Sequence, residues 1–476
     1  MTAPVILWFR RDLRLADNPA VEAAVQSGAP VIPLYVSDEG LEGRPIGAAS
    51  RWWLDKSLHA LAADLEQRGS RLVIRSGDAE AEVLRLAEET GASCVLMNRL
   101  FEPEAWERDR RLAERLKETG REARGFNGTL LAAPGSVQTK AGDPFKVFTP
   151  FMRALWDQAR ARPSRQAPER LPFPEAAIGA DSIDSLGLHP RKPDWSGGFD
   201  WTPGEAGAAA TLDRFLDEAL GAYAEDRDRP DREGTSRLSP HLHFGEIDPW
   251  RAVHAARAAA ERGDVAHGQA EKFAAEIAWR EFSAHLLCAF PNLPTKAFRP
   301  EFDRMPWRND LEGIEAWRRG RTGYPLVDAG MRQLWTTGWM HNRVRMVVAS
   351  FLIKDLLVDW REGEAWFWDT LVDADLASNA QNWQWTAGSG ADAAPYFRIY
   401  NPVSQGEKFD PKGDYVRRWV PELAKLPADV IHAPWKAPAD VLRRAGVELG
   451  VTYPKPIVDH GAARLRALDA LKSLRT

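Results

Sequence analysis

The sequence VILWF, at residues 5–9, is the first of four short apolar runs near the start of the chain; the others span residues 31–36, 71–75 and 94–98. Runs of this length and composition are typical of strands that are buried on both faces. The segments between them have helical periodicity, with leucines at positions 54, 58, 61 and 65 of a helix that begins near Ser50. Asp78 and Gly91 are suited to cap the next helix, which is predicted to end near Thr90. This alternation predicts a doubly wound parallel sheet.

The rest of the chain divides into a connector and a helical region. Seven prolines lie between residues 160 and 204, where neither strand nor helix periodicity is visible. After residue 206, helical periodicity continues to the end of the chain. We therefore predict an α/β domain at residues 1–135, an interdomain linker at 136–205 and an all-α domain at 206–476. The α/β domain lacks both common phosphate-binding glycine motifs, so it is not expected to bind a dinucleotide in the usual way.

Composition and charge exclude several classes of protein. The 476 residues carry 63 Lys and Arg against 68 Asp and Glu, a net charge of −5, which excludes a strongly basic chain but not a local basic patch. Two cysteines, Cys94 and Cys288, are too few for a disulfide framework. Without a signal-peptide pattern or an apolar run of about 18 residues, the chain is predicted to be cytoplasmic and not a membrane protein. The chain has 20 Trp but only 7 Tyr, an excess of tryptophan that packing alone does not explain.

The stretch GTSRLSP, at residues 234–240, places three hydroxyl groups around an arginine just before a short helix predicted at 241–244. Hydroxyls and backbone N–H groups at the start of a helix suit phosphate oxygens, and a guanidinium group adds a charge-assisted pair of hydrogen bonds. The alternative is a plain helix-capping turn.

Two helical segments combine polar and flat side chains on one face. Glu276 and Trp279 could accept hydrogen bonds from the edge of a heterocycle and stack on its face, although Glu276 and Arg280 could instead form a surface ion pair. Further on, a long helix is predicted to begin near residue 339, with four residues on one side at helical spacing: Asn342, Arg345, Met346 and Ala349. An amide, a guanidinium, a thioether and a methyl group suit a planar polar ligand better than a core.

Asp373 and Asp375 stand two residues apart, so their charges would repel each other unless each had a partner. Arg345 is the candidate partner for one of them, and a ligand N–H or hydroxyl for the other. A divalent metal between the two carboxylates is the competing interpretation, but no further ligands follow at metal-like spacing. His241 and His243 are likewise interpreted as structural residues rather than as zinc ligands, so no metal site is predicted.

Taken together, these motifs resemble those of the photolyase/cryptochrome family, and most of all the class I-like branch of cyclobutane pyrimidine dimer photolyases. The resemblance covers nearly the whole chain and is densest from residue 235 to residue 421. The motifs that carry it, in order, are FRRDLR (9–14), GDPFKVFTPF (142–151), TSRLSP (235–240), WREF (279–282), TGYPLVD (322–328), GWMHNRVRM (338–346), residues 373–385 and DAAPYFRIYN (392–401).

The resemblance implies a U-shaped, non-covalently bound FAD in the helical domain, active as its two-electron-reduced anion. Blue or near-ultraviolet light excites the flavin, an electron passes to a pyrimidine dimer flipped out of UV-damaged DNA, and the electron returns after the dimer splits. A second, light-harvesting chromophore is expected near the strand ends of the α/β domain, with methenyltetrahydrofolate preferred. No obligate protein partner is expected, and the chain is predicted to be a monomer.

The resemblance also assigns residues to the cofactor. Asn379 matches the residue beside the central-ring nitrogen of the flavin, and Asp375 the residue beneath its pyrimidine-like edge. Asn342 and Arg345 match positions over the ring system, with Asp373 paired to Arg345. The remaining positions, on the diphosphate and ribityl side or near both cofactor and lesion, are Tyr223, Thr235, Ser236, Arg237, Leu238, Ser239, Glu276 and Arg280.

For the substrate, the resemblance makes Trp279 and Trp385 the walls on which the dimer stacks. The thymine edges would contact Glu276, Asn342 and Met346, and flanking phosphates would contact Arg343 and Arg398. Three tryptophans match an electron chain that reduces the flavin from the surface under light: Trp383, Trp360 and Trp307. Together with Glu276, Asn342 and Asn379 they are the predicted catalytic residues.

Two other functions were weighed against repair of cyclobutane dimers. Enzymes for the six-four photoproduct generally carry a histidine pair in the motif that reads Met340-His341-Asn342-Arg343 in this chain. A signalling cryptochrome of the plant type would have aspartate in place of Asn379. The chain also departs from its relatives at Phe273, at Ala275 and in the segment LFEPEAW (100–106), whose pattern fits neither common antenna type.

Overall fold

A computed structural model describes residues 2–38, 40, 43–393 and 397–474. Its first part contains a five-stranded, wholly parallel sheet with the strand order β3-β2-β1-β4-β5. The order reverses direction beside β1, as doubly wound sheets do. The strands are β1 (Val5–Phe9), β2 (Val31–Ser37), β3 (Val73–Ser76), β4 (Cys94–Asn98) and β5 (Glu122–Phe126).

The four predicted strands and the doubly wound sheet are confirmed, with the third strand shifted to Val73–Ser76. The fifth strand was not predicted. Its sequence, EARGF, lacks an apolar run because β5 lies at the edge of the sheet, where its residues are half-buried or exposed. Edge strands need only one apolar face, so the signal that marks a fully buried strand is absent.

Helices cover both faces of the sheet and give two separate apolar layers. The predicted caps of the third helix are confirmed: the Asp78 side chain accepts a hydrogen bond from the backbone N–H of Ala81, and Gly91 ends the helix at a φ of +63°. The helices of this domain are α1 (Pro19–Gln26), α2 (Ala48–Glu66), α3 (Ala79–Thr90) and α4 (Pro103–Glu118).

The segment predicted as a linker contains one full helix, α5 (Phe148–Gln158). Phe148, Phe151 and Leu155 from this helix belong to the apolar core of the helical domain. From residue 159 to residue 204 the chain forms only two short turns of 3₁₀ helix, at Ile183–Leu186 and Ser196–Gly198. The prediction of residues 136–205 as a linker did not include this helix, although its apolar residues have helical spacing.

The second part is helical and has one large core of its own. The long helix predicted near residue 339 is shorter than expected: it begins at Asn342, where the side chain of His341 caps it, and passes into a π turn at Phe351–Asp355. Its helices are α6 (Glu205–Arg214), α7 (Tyr223–Asp226), α8 (Ser239–His243), α9 (Pro249–Glu261), α10 (His267–Ala289), α11 (Leu311–Arg318), α12 (Pro325–Thr337), α13 (Asn342–Ser350), α14 (Trp360–Thr370), α15 (Leu376–Ala387), α16 (Pro402–Phe409), α17 (Asp414–Trp419), α18 (Ala439–Ala445) and α19 (His460–Ser473).

The two parts are held together at the carboxyl end of β1. The backbone N–H of Leu13 donates to the carbonyl of Phe244 at 3.0 Å, and the Arg14 side chain donates to the carbonyl of Gly245 at 2.8 Å. The indole N–H of Trp53, on α2, donates to the carboxylate of Glu246 at 2.9 Å. The strand ends of the sheet therefore face the helical part. Among the described residues, no helix combines the length and apolarity that crossing a bilayer requires.

Candidate functional site

The centre of the candidate site is Asp373, which lies just before α15 and is buried. One of its carboxylate oxygens accepts hydrogen bonds from Arg345 on α13, at 2.8 Å, and from the Ser239 hydroxyl on α8, at 2.6 Å. The predicted pairing of Arg345 with Asp373 is thus present. The other oxygen, Oδ1, is buried and has no hydrogen-bond partner among the described residues. A buried acceptor without a partner is the feature expected where a ligand donates a hydrogen bond.

Polar side chains around this cluster are accessible although their neighbours are buried. Ser239 is exposed between buried Leu238 and Pro240, and Asn342 is exposed at the start of α13. Arg345 and Met346, one turn further along the same face, are partly buried. Accessible polar groups inside a helical domain indicate a ligand site rather than a packed core.

Asn379, on α15, has its amide nitrogen fixed by Glu364 on α14. The nitrogen donates to the Glu364 carboxylate at 2.7 Å and to the Glu364 backbone carbonyl at 3.0 Å. Because both amide hydrogens are used, the amide oxygen is directed away from Glu364. The side chain therefore presents an acceptor, which suits a group that carries a hydrogen on a ring nitrogen.

Asp375 turns towards the interface between the two parts of the chain. Its side chain caps α15 through the N–H of Ser378, at 2.8 Å, and lies 3.6 Å from the imidazole of His243 and 3.9 Å from Arg11. Burial alone would raise the pKa of Asp375, but His243, Arg11 and Arg280 outweigh burial and hold that pKa well below its usual range. The predicted place of Asp375 beneath a ring edge stays a prediction.

The TSRLSP loop is arranged differently from the sequence prediction. The Arg237 guanidinium group lies between two indole rings, 4.4 Å from the centroid of Trp201 and 4.7 Å from that of Trp339, and burial lowers its pKa. Glu233 lies 3.6 Å from the same guanidinium group, and these contacts hold the loop in place. The predicted pair of hydrogen bonds to a phosphate stays a prediction. Thr235 and Ser236 remain partly accessible beside it.

Glu276 and Arg280 do not form the alternative surface pair. Glu276 pairs with Arg227, at 2.8 Å, and with Lys272, at 3.1 Å. Arg280 instead donates to two backbone carbonyls, of Thr129 at 2.9 Å and of Leu242 at 3.2 Å. The two residues thus point in different directions, with Arg280 linking α10 to the end of the α/β part. Tyr223, beside Arg227, is buried, and burial raises its pKa.

The predicted lesion walls are partly covered. Trp279 stacks on Phe148 of α5, with ring centroids 3.7 Å apart and planes 6° from parallel, so one face of this indole is already in contact. The indole N–H of Trp385 donates to the carbonyl of Asp392 at 3.0 Å. The Arg398 guanidinium lies 5.7 Å from the Trp385 ring. The middle of the DAAPYFRIYN motif, residues 394–396, lies outside the described residues.

Arg343 and Arg398 lie on one polar rim with Tyr400 and Lys408. Arg343 pairs with Asp228 at 2.8 Å, and the sequence reasoning did not foresee this acidic partner. The guanidinium group also lies 4.5 Å from the centroid of the Phe409 ring, so a phosphate would have to compete with Asp228 for it. The position of Asp228 carries no local signal that would have placed it in the site, whereas Phe148 lies within the GDPFKVFTPF motif and could have been considered.

The three predicted electron-chain tryptophans differ in exposure. Trp383 and Trp360 are buried, and Trp307 is only partly buried. Trp383 packs directly on α14, the helix that begins at Trp360: a Cβ added at Gly363 would lie 2.1 Å from the Trp383 ring. Exposure thus decreases from Trp307 to the other two indoles, which is the order that the prediction requires. The transfer of electrons along them stays a prediction.

Comparisons with known proteins give the class of protein that this fold and site define. Residues 5–174 match the family model described as DNA photolyase, and residues 273–473 match the FAD binding domain of DNA photolyase. The chain belongs to the photolyase/cryptochrome family. The first family model begins at the α/β part of the chain, and the second lies within the helical part.

Individual relatives support the same family assignment. Deoxyribodipyrimidine photo-lyase of Agrobacterium fabrum is 53% identical over 476 residues, which cover 100% of this chain and 98% of the relative. Cryptochrome-2 of Arabidopsis thaliana is 40% identical and is covered over 80% of its length. Among solved structures, a bacterial class III photolyase from Agrobacterium tumefaciens superposes with a TM-score of 0.97 at 53% identity, over 100% of this chain and 98% of that one. The structural neighbour is of class III, whereas the motifs suggested the class I-like branch.

Proposed function

We propose that the chain repairs cyclobutane pyrimidine dimers in UV-damaged DNA, driven by light and with FAD as cofactor. The observation that carries the proposal is the Asp373 cluster: a buried acceptor atom and accessible polar neighbours, inside the part of the chain that matches an FAD binding domain. When bound in its reduced form, FAD supplies on illumination the electron that opens the dimer.

The residues of the chain hold the cofactor and shape its surroundings. Arg345, fixed by Asp373 and by the carbonyl of Met340, would lie over the ring system with Asn342. The hydroxyls of Thr235, Ser236 and Ser239, with Tyr223, Leu238 and the loop around Arg237, would line the diphosphate and ribityl side. Asn379 would offer its amide oxygen to the central-ring nitrogen. Glu276, Arg280 and Asp375 complete the proposed set.

The residues on the DNA side would receive a dimer flipped out of the helix. Trp385 and the uncovered face of Trp279 would stack on the bases, while Glu276, Asn342 and Met346 contact their edges. Arg343 and Arg398 would bind the phosphates on either side. Since one chain supplies all of these groups, we propose that it acts as a monomer, in the cytoplasm.

Repair is favoured over the two other functions. Asn379 stands where a plant-type photoreceptor would carry aspartate, and the photo-lyase relative is 53% identical against 40% for the cryptochrome. The Met340-His341 pair differs from the histidine pair of six-four enzymes. The class III neighbour also supports placing this chain in class III rather than in the class I-like branch.

A repair assay tests the proposal. We expect the anaerobically reduced protein, mixed with an oligonucleotide that contains one thymine dimer, to restore the two thymines under blue light and to leave the dimer intact in the dark. Chromatography of the digested oligonucleotide measures both. A dimer that survives illumination, in a sample whose flavin is shown to be reduced, would overturn the proposed activity.

We further propose methenyltetrahydrofolate as the antenna, and the structure offers two places for it. One is the cleft at the strand ends, whose lining includes Arg11, Glu102, His243, Arg280 and Asp375 and whose free volume is only about 30 Å³. The other is a groove of about 810 Å³ on the helical part. Much of the cleft lining is already engaged in ion pairs and hydrogen bonds, which a ligand would have to displace.

The groove combines flat rings with basic side chains, two features that a folate would use. Trp335 and Trp366 lie in it with nearly parallel rings, 10° apart in orientation and 6.0 Å between centroids. The Trp335 ring also stacks on Trp195, with centroids 4.8 Å apart, so a pterin beside it would have to displace a neighbouring ring. The lining carries five arginines against one glutamate, and an anionic tail would compete with the carboxylates that already pair with four of the five: Arg318, Arg319, Arg321, Arg332, Arg418 and Glu315. We therefore favour the groove over the predicted strand-end position.

Alanine variants distinguish the two places. We expect Trp335→Ala to lower the pterin bound per flavin roughly tenfold or more, because it removes one stacking face worth about 1–3 kcal/mol. Trp106→Ala, which removes an equally exposed indole of the LFEPEAW segment, serves as the matched control and should keep the pterin. Absorption spectra after reconstitution with excess methenyltetrahydrofolate give the ratio. The opposite pattern would return the antenna to the strand ends.

A further inference from the structure

Asn379, the residue proposed to face the flavin, is linked through a buried carboxylate to the α/β part of the chain. Arg44, in the loop before α2, donates two hydrogen bonds to the Glu364 carboxylate, at 2.9 and 2.5 Å. The Glu364 side chain is 5% exposed and that of Arg44 is 28% exposed. The same carboxylate accepts from Asn379, so Glu364 contacts both residues directly.

The loop that carries Arg44 is held firmly against α14. The Arg44 guanidinium lies 3.7 Å from the centroid of the Trp368 ring, and the Trp368 indole N–H donates to the carbonyl of Pro45 at 2.8 Å. A side chain at Gly47 has no room, since its Cβ would lie 1.9 Å from the carbonyl oxygen of Trp368. Arg44 is therefore fixed in position before any cofactor binds, and it is not a mobile surface charge.

The Glu364 carboxylate decides which way the Asn379 amide faces. A carboxylate only accepts hydrogen bonds, so it takes the NH₂ end of the amide and leaves the oxygen end for other partners. Without Arg44, this carboxylate would lose two of its hydrogen bonds and would no longer be held in place as the acceptor for Asn379. The amide would then be free to turn its nitrogen outwards.

We propose that Arg44 is a positioning residue for the flavin: by holding the Glu364 carboxylate in place as an acceptor, it keeps the Asn379 amide oriented with its oxygen available to the cofactor. Reduced flavin carries a hydrogen on its central-ring nitrogen, and oxidised flavin does not. An amide oxygen beside that nitrogen thus stabilises the reduced form, whereas an amide nitrogen does not. The inference rests on the proposed function only in requiring that FAD binds.

The rate at which reduced flavin reoxidises in air, in the dark, tests this role in the holoprotein. Arg44→Gln should reoxidise roughly tenfold faster than the parent chain, the size expected for the loss of one hydrogen bond to the reduced ring. Arg44→Lys retains the positive charge but loses the two-pronged contact with Glu364 and the stacking on Trp368, so its rate should lie between those of the parent chain and Arg44→Gln. Ser50→Ala removes a different bond between the two parts, from the Ser50 hydroxyl to the carbonyl of Leu371, and should also leave the rate unchanged.

A double-mutant cycle separates this role from mere docking of the loop. If Arg44 acts through Glu364, then Arg44→Gln should change the rate less than about twofold once Glu364→Gln is present. The same acceleration in both backgrounds, or none in the single variant, would overturn the proposal. A parent chain that binds no FAD would instead contradict the proposed function, so the two failures are distinguishable.

Discussion

Asp373→Ala is expected to abolish the retention of FAD through purification. Asp373 accepts from both Arg345 and Ser239, and its side chain is 3% exposed, so its removal leaves a guanidinium group without its counter-ion. Breaking one partner of a buried ion pair costs about 3–5 kcal/mol. Because the Arg345 side chain keeps 24% exposure, we expect the lower end of that range in the free energy of unfolding.

The flavin content and the unfolding free energy of this variant are measured by absorbance and by urea titration. Asp213→Ala, which removes an exposed carboxylate on α6, is the matched control and should retain both. Ser239→Ala removes one hydrogen bond without stranding a charge, so its loss should be smaller, about 1 kcal/mol. An Asp373→Ala protein that still carries a full complement of FAD would contradict the site as described.

Trp383→Phe is expected to abolish the photoreduction of oxidised flavin and to spare repair once the flavin is reduced chemically. Phenylalanine fills most of the space against Gly363 and Phe367, so the fold should lose no more than about 1–2 kcal/mol. It cannot replace the indole as the easily oxidised group that the proposed electron chain requires at this position. The variant thereby separates the supply of electrons from their use in repair.

Flavin absorbance during illumination with an external reductant follows photoreduction, and the dimer assay follows repair. Trp156→Phe makes a similar change at an indole that contacts Trp250 and is not one of the three electron-chain tryptophans, so this variant should behave like the parent. Undiminished photoreduction in Trp383→Phe would mean that electrons reach the flavin by a route that does not include Trp383. Loss of repair after chemical reduction would mean that Trp383 does something other than supply electrons.

The sequence predicts the features that depend on local or strongly patterned signals. The central strands are continuous apolar runs, and the caps of α3 use residue types with one dominant role, so both were found. The pairing of Arg345 with Asp373 was found because two carboxylates so close together need a cation. Helix α5 and strand β5 were not predicted. Each buries only one face and is stabilised mainly by packing against a neighbouring element, so its own sequence carries a weak signal.

The links between distant segments could not be predicted. Arg44 and Glu364 are 320 residues apart, and neither stands in a motif that marks it. Arg237 was predicted to bind a phosphate because its neighbours are hydroxyls, and its contacts with two tryptophans from other segments were not predicted. In each case a long-range contact decides the role of a side chain, and a single sequence carries no record of such contacts.

A crystal structure with bound FAD and a dimer-containing oligonucleotide tests the central claim most directly. We expect flavin density among α8, α13 and α15, with the amide oxygen of Asn379 against the ring and the dimer seated between the flavin and Trp385. Flavin density elsewhere in the chain, or a dimer that stays stacked within the DNA and out of contact with the helical part, would contradict the account.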